Sequence, residues 1–185
     1  MLSRKSFNAI AAACVMSLGV SSASAQTVAN GPYYAMPSWD QTLPVATRFI
    51  VLSNMGSAAV LDRETGLVWE RSPNTTARIW RNASYHCVDT STGGRTGWRL
   101  PSVQEMLSLV DRSAGSPGPA LPSGHPFSNV ILAGYWSATS FDPGALVGTY
   151  AYGVSLFASA PVSQVHKLEI RYAWCVRGGS GAELQ

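Results

Sequence analysis

Charged residues are scarce. Asp, Glu, Lys and Arg make up 12% of the 185 residues, about half the usual share of roughly 25%. That argues against a salt-bridge-rich dinucleotide enzyme, a coiled coil, or a protein built around an acidic or basic tail. The basic residues are scattered, so no nucleic-acid footprint is present. Histidine is limited to His86, His125 and His166, too few and too dispersed for a metal constellation. No metal ion and no cofactor are therefore expected. The glycine-rich loop Ser91–Gly97 lacks the GxxxxGK[ST] spacing and follows no strand, so it is no phosphate cradle. Apolar residues are not lacking: at 46% they are normal for a globular chain and exclude wholesale disorder.

The first 25 residues read as a secretory signal. Arg4 and Lys5 form a basic start, Phe7 to Val20 is mostly apolar and small, and Ala23-Ser24-Ala25 is a small-x-small cleavage site. The apolar run is too short to stay as an anchor, which takes about 20 residues. No other stretch is long enough, so no membrane span is expected after cleavage, and the periplasm or the exterior is the expected location. Residues 26–185 then carry 11 basic and 10 acidic residues, and Lys167 is their single lysine. Arginine offers forked donors for carboxylate, sulfate or carbonyl groups, although GC-rich coding accounts for the bias as well. Cys14 leaves with the signal. Cys87 and Cys175 remain, and two cysteines in an oxidising compartment usually pair. A metal pair and a redox pair are the alternatives, and the wide separation without CxxC argues against both.

The rest divides into an arm, a body and a stub. Residues 26–47 hold Pro32, Pro37 and Pro44 with Tyr33, Tyr34 and Trp39, and read as an extended arm or linker. Arg48–Leu52, Ala58–Asp62 and Leu67–Glu70 are strand candidates, the last two joined by a turn at Gly66. Ile79–Val88 is a first helix, with Trp80, Ala83, Ser84 and Cys87 on one face and Asn74, Thr75 or Thr76 as candidate caps. His86 is expected on its solvated side. The Asn82-Ala83-Ser84 triplet is read as a chance match to a glycosylation acceptor. Ser102 and Glu105 form a capping box, and Val103, Met106, Leu107 and Val110 give a second amphipathic helix ending near Asp111. Ser113–Gly124 is loop. Tyr135–Ser140, Ala145–Phe157 and Gln164–Arg177 read as an antiparallel sheet. Helices and strands are segregated, so the fold class is α+β. Residues 180–185 are a stub.

Five blocks in order resemble one family. They are Leu61–Trp69 ("D-x-x-T-G-L-x-W"), Trp80–Cys87 ("W-x-x-A-x-x-x-C"), Gly97–Glu105 ("W-R-L-P-[ST]-x-x-E"), Tyr135–Ser140 ("Y-W-S-S-T") and Cys175–Gly179 ("C-V-R-G-G"). Over about Arg48 to Gly179 the chain resembles the bacterial Lcl C-terminal domain family, long a domain of unknown function and named after a collagen-like adhesin. The resemblance implies a domain spanning residues 48–179. It also implies a C-type-lectin-like fold, related to sulfatase-modifying factors, with two helices on a twisted antiparallel sheet and long loops. In such folds a disulfide commonly ties the first helix to the last strand, and Cys87 and Cys175 are placed that way. The collagen-like region of the adhesin has no counterpart here.

Trp69, Trp80, Trp98, Arg99, Pro101, Glu105, Trp136 and Arg177 are the structural residues of these blocks. Trp98 is expected in the core, with Arg99 bound to loop carbonyls or an acidic partner. Ser137 and Thr139 look like a catalytic hydroxyl set, but no histidine is near them in sequence, and backbone-satisfied hydroxyls are expected instead. The lectin motifs Glu-Pro-Asn, Gln-Pro-Asp and Trp-Asn-Asp are absent, so calcium independence is expected. Lectin-like ligands meet the long-loop region and late strands, which maps to Phe141, Asp142, Tyr150, Tyr152, His166, Lys167 and Arg171. Aromatics with cations suit sugar stacking and sulfate contacts. The expected function is a non-enzymatic, adhesin-like binding domain for glycans, sulfated ones included, or another envelope ligand such as a protein. A second reading is a structural envelope protein, a homo-oligomer docking through the aromatic arm. A third is an oxidative enzyme of the formylglycine-generating type, which needs both cysteines as thiols in one open pocket.

Overall fold

A computed structural model describes residues 43–114, 118–142, 144, 148–157 and 162–179. The secretory signal, the arm up to residue 42 and the stub lie outside these residues. The architecture is α+β, as expected. A five-stranded antiparallel sheet has the order β1-β2-β3-β8-β4, from β1 (Phe49–Val51), β2 (Ala59–Asp62), β3 (Leu67–Glu70), β8 (Val176–Arg177) and β4 (Trp98–Arg99). A second antiparallel sheet joins β5 (Gly134–Phe141), β6 (Tyr150–Ser155) and β7 (Val162–His166). The helices are a single turn α1 (Val45–Arg48), then α2 (Trp80–Asp89) and α3 (Val103–Leu109).

Strand alternation divides the interior into two apolar clusters. Val60, Leu67, Trp69, Met106, Leu109, Tyr135, Val154, Trp174 and Val176 belong to one, which includes the inner face of α3. Ala59, Ala83, Cys87, Trp98, Trp136, Ala151, Val165, Ala173 and Cys175 belong to the other, on the side of α2. Neighbours such as Tyr135 and Trp136, or Cys175 and Val176, fall in opposite clusters. The second cluster is closed by the Cys87–Cys175 disulfide, with Cα atoms 5.4 Å apart and both residues fully buried. The bridge ties α2 to the residue before β8.

Several boundaries differ from expectation for identifiable reasons. Arg48 ends α1 rather than opening a strand. Its guanidinium turns inward to Asp62, with Nε donating to Oδ1 at 3.0 Å and Nη2 to Oδ2 at 2.8 Å, and Nη2 also donates to the Ser108 carbonyl. Residues 45–47 of the expected arm are helical with it. None of Asn74, Thr75 and Thr76 caps α2. The N-cap is Ile79 without a side-chain bond, and the Trp80 amide donates to the Lys167 carbonyl instead. Asn74 accepts from the Thr76 amide and from Arg78. The expected strand Gln164–Arg177 is broken. Its first half belongs to β7, a turn follows at Lys167 and Leu168 where the Leu168 amide donates to His166 Nδ1, and its end becomes β8 of the other sheet. β6 begins at Tyr150, and Pro143 and residues 145–147 lie outside the described residues.

The capping box at α3 is present as read. The Glu105 amide donates to Ser102 Oγ at 3.1 Å and the Ser102 amide to Glu105 Oε2 at 2.8 Å. The same Glu105 carboxylate takes two Arg99 donors at 2.7 Å each, and Arg99 also donates to the Leu100 and Gly178 carbonyls. Gly179 lies against this unit at φ +75°, where a Cβ would fall 2.7 Å from Leu67 and 3.2 Å from Glu105 Oε1. Three of the five sequence blocks thus meet at one point.

The remaining blocks are joined similarly. Trp80 Nε1 donates to the Ser137 carbonyl, and Trp136 Nε1 donates to the Arg78 carbonyl, both at 2.8 Å. Ser137 Oγ donates to the Tyr152 carbonyl, and Thr139 Oγ1 accepts the Val103 amide. The Ala138 amide donates to the Pro101 carbonyl. Trp98 is buried, as expected, with its indole N–H on the Arg95 carbonyl. Trp69 is fully buried edge-on to Trp174. Arg177 pairs in register with Val68 on one side and Trp98 on the other.

Candidate functional site

The seven candidate ligand residues surround the three-stranded sheet, but they fall on two faces. Tyr150 and Tyr152 alternate with Ala151 and Gly153, and Tyr152 packs against the α3-side cluster together with Val154. His166 is opposite Tyr150 in register, with ring centroids 5.4 Å apart, and Phe141 meets Tyr152 at 5.6 Å. These four half-buried rings therefore form one aromatic face, with exposed Gln164 opposite Tyr152. Asp142 is exposed at its edge, and its carboxylate accepts the Gly148 amide.

Lys167 and Arg171 are on the side of α2. Lys167 Nζ lies 4.2 Å from the centroid of the Trp80 ring and donates to Ser140 Oγ at 2.9 Å. A cation over an indole face is held by the ring quadrupole. Arg171 exchanges both backbone hydrogen bonds with Arg78. Its guanidinium lies on Gly134, where any Cβ would collide with Nη1. A glycine at that strand position makes room for the arginine. Its ion contact with Glu169 is long, at 4.0 Å, and Glu169 is well exposed, so that contact contributes little. The aromatic rings and the two cations thus do not converge on one ligand.

A polar cleft was not foreseen in the sequence. It has a volume of about 380 Å³, within the range of roughly 300–1,000 Å³ usual for small-molecule sites. Glu70 at the end of β3, Asn74, His86 on α2, Thr90, Thr92 and Asn129 are on its walls. His86 corrects the expectation of a solvated side chain. It is half-buried, and its Nε2 is enclosed without a hydrogen-bond partner. Burial, and secondarily the Arg78 charge, pull the His86 pKa below 6.5, against a smaller opposing pull from Asp89. The Glu70 carboxyl is raised by burial, although hydrogen bonds from Thr92 and the Cys175 amide oppose the shift. The signal available beforehand was a glutamate closing the otherwise apolar run Leu67-Val68-Trp69.

Among the described residues, no group of three or more His, Cys, Asp or Glu side chains is placed to hold a metal ion. No helix among them is long and apolar enough to cross a membrane. A small disulfide-tied α+β domain, with one aromatic sheet face and one polar cleft, is the class of protein these features define. Residues 58–177, more than half of the chain, match the Lcl C-terminal domain, and the chain belongs to that family. β1 and Arg48 precede the match but are paired into the same sheet. No curated protein matches the chain.

Proposed function

We propose that this protein is an exported, non-enzymatic binding module that recognises a glycan on the aromatic face of its three-stranded sheet. The observation that carries the reading is the set of four half-exposed rings, Phe141, Tyr150, Tyr152 and His166, on one side of a small sheet. Ring faces bind the apolar faces of sugars while neighbouring polar groups take the hydroxyls. The lectin-like relationship implied by the sequence blocks agrees with a ligand at the late strands. Export is supported by the signal-like N-terminus and by a disulfide, which suits an oxidising compartment. Both cysteines being bridged and buried argues against thiol-based oxidative chemistry.

The separation of Lys167 and Arg171 from the rings favours stacking over sulfate recognition. The test is a glycan array, sulfated polymers included, probed with residues 26–185 at low and high salt. Salt-insensitive binding that Tyr152→Ala weakens about tenfold is expected, since losing a stacked ring costs roughly 1–1.5 kcal/mol. Binding confined to sulfated polymers and lost at high salt would refute the stacking reading, and absence of binding would refute the glycan reading.

One observation favours the alternative of an envelope interaction protein. Leu168 and Ile170 are 70% and 68% exposed in the turn after β7, an apolar pair suited to a protein partner. Size exclusion of the native protein against a Leu168→Ser, Ile170→Ser variant tests it. A larger assembly that the variant disperses would support the alternative, and an unchanged monomer would count against self-association.

A further inference from the structure

We infer that the cleft between β3 and α2 is a second ligand site, separate from the aromatic face, and that it takes an uncharged polyhydroxylated molecule of one or two sugar rings. Its walls carry hydroxyls from Thr90 and Thr92, amides from Asn74 and Asn129, and the side chains of Glu70 and His86. This is donor and acceptor chemistry in near-equal supply, which matches hydroxyls that both give and accept. In small-molecule sites the placed polar groups fix orientation and specificity, and the lining of this cleft is polar apart from Pro73.

Three further features support a built site. Glu70 is held rigidly, with Oε1 accepting Thr92 Oγ1 at 2.7 Å and Oε2 accepting the Cys175 amide at 3.1 Å. Each carboxyl oxygen has a second lone pair left for a ligand hydroxyl. His86 Nε2 is enclosed and has no protein partner, a state that costs stability unless some other polar group meets it. Asn129 holds φ at +53°, a left-handed conformation that asparagine adopts more readily than most non-glycine residues. Its amide nitrogen donates to Ser72 Oγ at 3.1 Å, fixing one wall.

The charges around the cleft argue for a neutral occupant. Glu70 would repel an anion. A cation would meet Arg78, whose guanidinium is fixed on Asn74 Oδ1 and the Thr76 carbonyl beside the cleft. Asp89, near His86 on α2, is the other charged group in the neighbourhood.

The probes are methyl α-glucopyranoside and N-acetylglucosamine, titrated into the millimolar range with isotope-labelled protein. The readout is the imidazole resonances of the three histidines. His86 is expected to shift saturably while His125 stays still. Asn129→Gly removes the amide and suits the backbone at that φ, so the fold should persist. It and Thr90→Val are each expected to weaken the His86 response about three- to tenfold, the loss of one hydrogen bond. Tyr152→Ala should leave it unchanged, which separates this site from the aromatic face. A still His86 with both sugars would overturn the inference. So would a shift that Asn129→Gly and Thr90→Val leave intact.

Discussion

Removing the Glu105 carboxylate is expected to cost a large part of the stability of a domain this small. Glu105 closes the α3 capping box, receives both arms of Arg99, and abuts Gly179. The Arg99 and Glu105 side chains are 11% and 9% exposed, so water replaces the lost bonds poorly. In Glu105→Ala, Arg99 keeps two backbone carbonyls but no counter-charge, and the Ser102 amide loses its side-chain acceptor. Breaking a buried pair from one side costs about 3–5 kcal/mol. The residual exposure here favours the lower end, and the lost cap adds about 1 kcal/mol. The expected total is about 4 kcal/mol, against a usual domain stability of roughly 5–15 kcal/mol. Glu105→Gln keeps an oxygen for the Ser102 amide and loses the charge, so about half that cost is expected. Urea unfolding of the oxidised protein, followed by tryptophan fluorescence, measures both. A double-mutant cycle with Arg99→Met should give a coupling of about 2 kcal/mol, little changed by added salt, because buried pairs are weakly screened. The reasoning fails if Glu105→Ala unfolds within about 0.5 kcal/mol of the wild type, the range of a surface pair, or if the coupling is zero.

Replacing Cys87 and Cys175 by alanine should lower stability by about 4–5 kcal/mol, from the loop-closure entropy of an 88-residue separation, and two titratable thiols in native exported protein would contradict the bridge. For Glu70 the folded pKa is raised above 4.5 by burial, so the native state keeps a proton that the unfolded chain releases. The Glu70 contribution to stability should be fully present below pH 4.5 and be lost as pH rises through the folded value, so the pH dependence of the urea midpoint should differ between wild type and Glu70→Gln in that direction. His86 and His125 are lowered from 6.5 by burial. Their contribution has the opposite sign: it is present above pH 6.5 and is lost as pH falls through the folded values, and a slope unchanged in a His125→Leu, His86→Gln variant would refute it. Calcium is not expected to matter, so glycan binding should be equal with and without EDTA, and loss in EDTA would refute the calcium-independent reading.

Elements with a strong local cause were legible in the sequence. The capping box at Ser102 is written in four consecutive residues and is present atom for atom. The hairpin strands β2 and β3 flank a turn with Gly66 at φ +69°, a conformation glycine adopts at little cost. Elements decided by distant partners were not legible. Arg48 looked like the start of a strand because its buried partners, Asp62 and the Ser108 carbonyl, are 14 and 60 positions away. The break after β7 is equally non-local, since the Lys167 carbonyl receives the Trp80 amide. The candidate site was half legible. Aromatic residues on β5, β6 and β7 do gather on one face, but Lys167 in the turn that ends β7, and Arg171 in the bridge to Arg78 beyond it, lie on the side of α2. An error of a few residues in strand ends suffices to hide such a division.

The residues that make the five blocks recognisable are poorly suited to hold a ligand, for a physical reason. A binding group needs unused hydrogen-bonding capacity within reach of solvent. Trp80, Trp98 and Trp136 each spend their indole N–H on a backbone carbonyl. Arg99, Glu105, Ser137 and Thr139 are likewise engaged within the fold. The fixed positions of the blocks therefore specify a frame, and the proposed recognition falls to side chains at other positions: Phe141, Tyr150, Tyr152 and His166 on the sheet, and Glu70, His86 and Asn129 in the cleft. Two members of one family can then share every block and bind different molecules. Exchanging the four sheet rings for those of a relative with another glycan preference should transfer the preference at nearly unchanged unfolding midpoint. A midpoint that collapses on exchange would mean the rings belong to the frame after all.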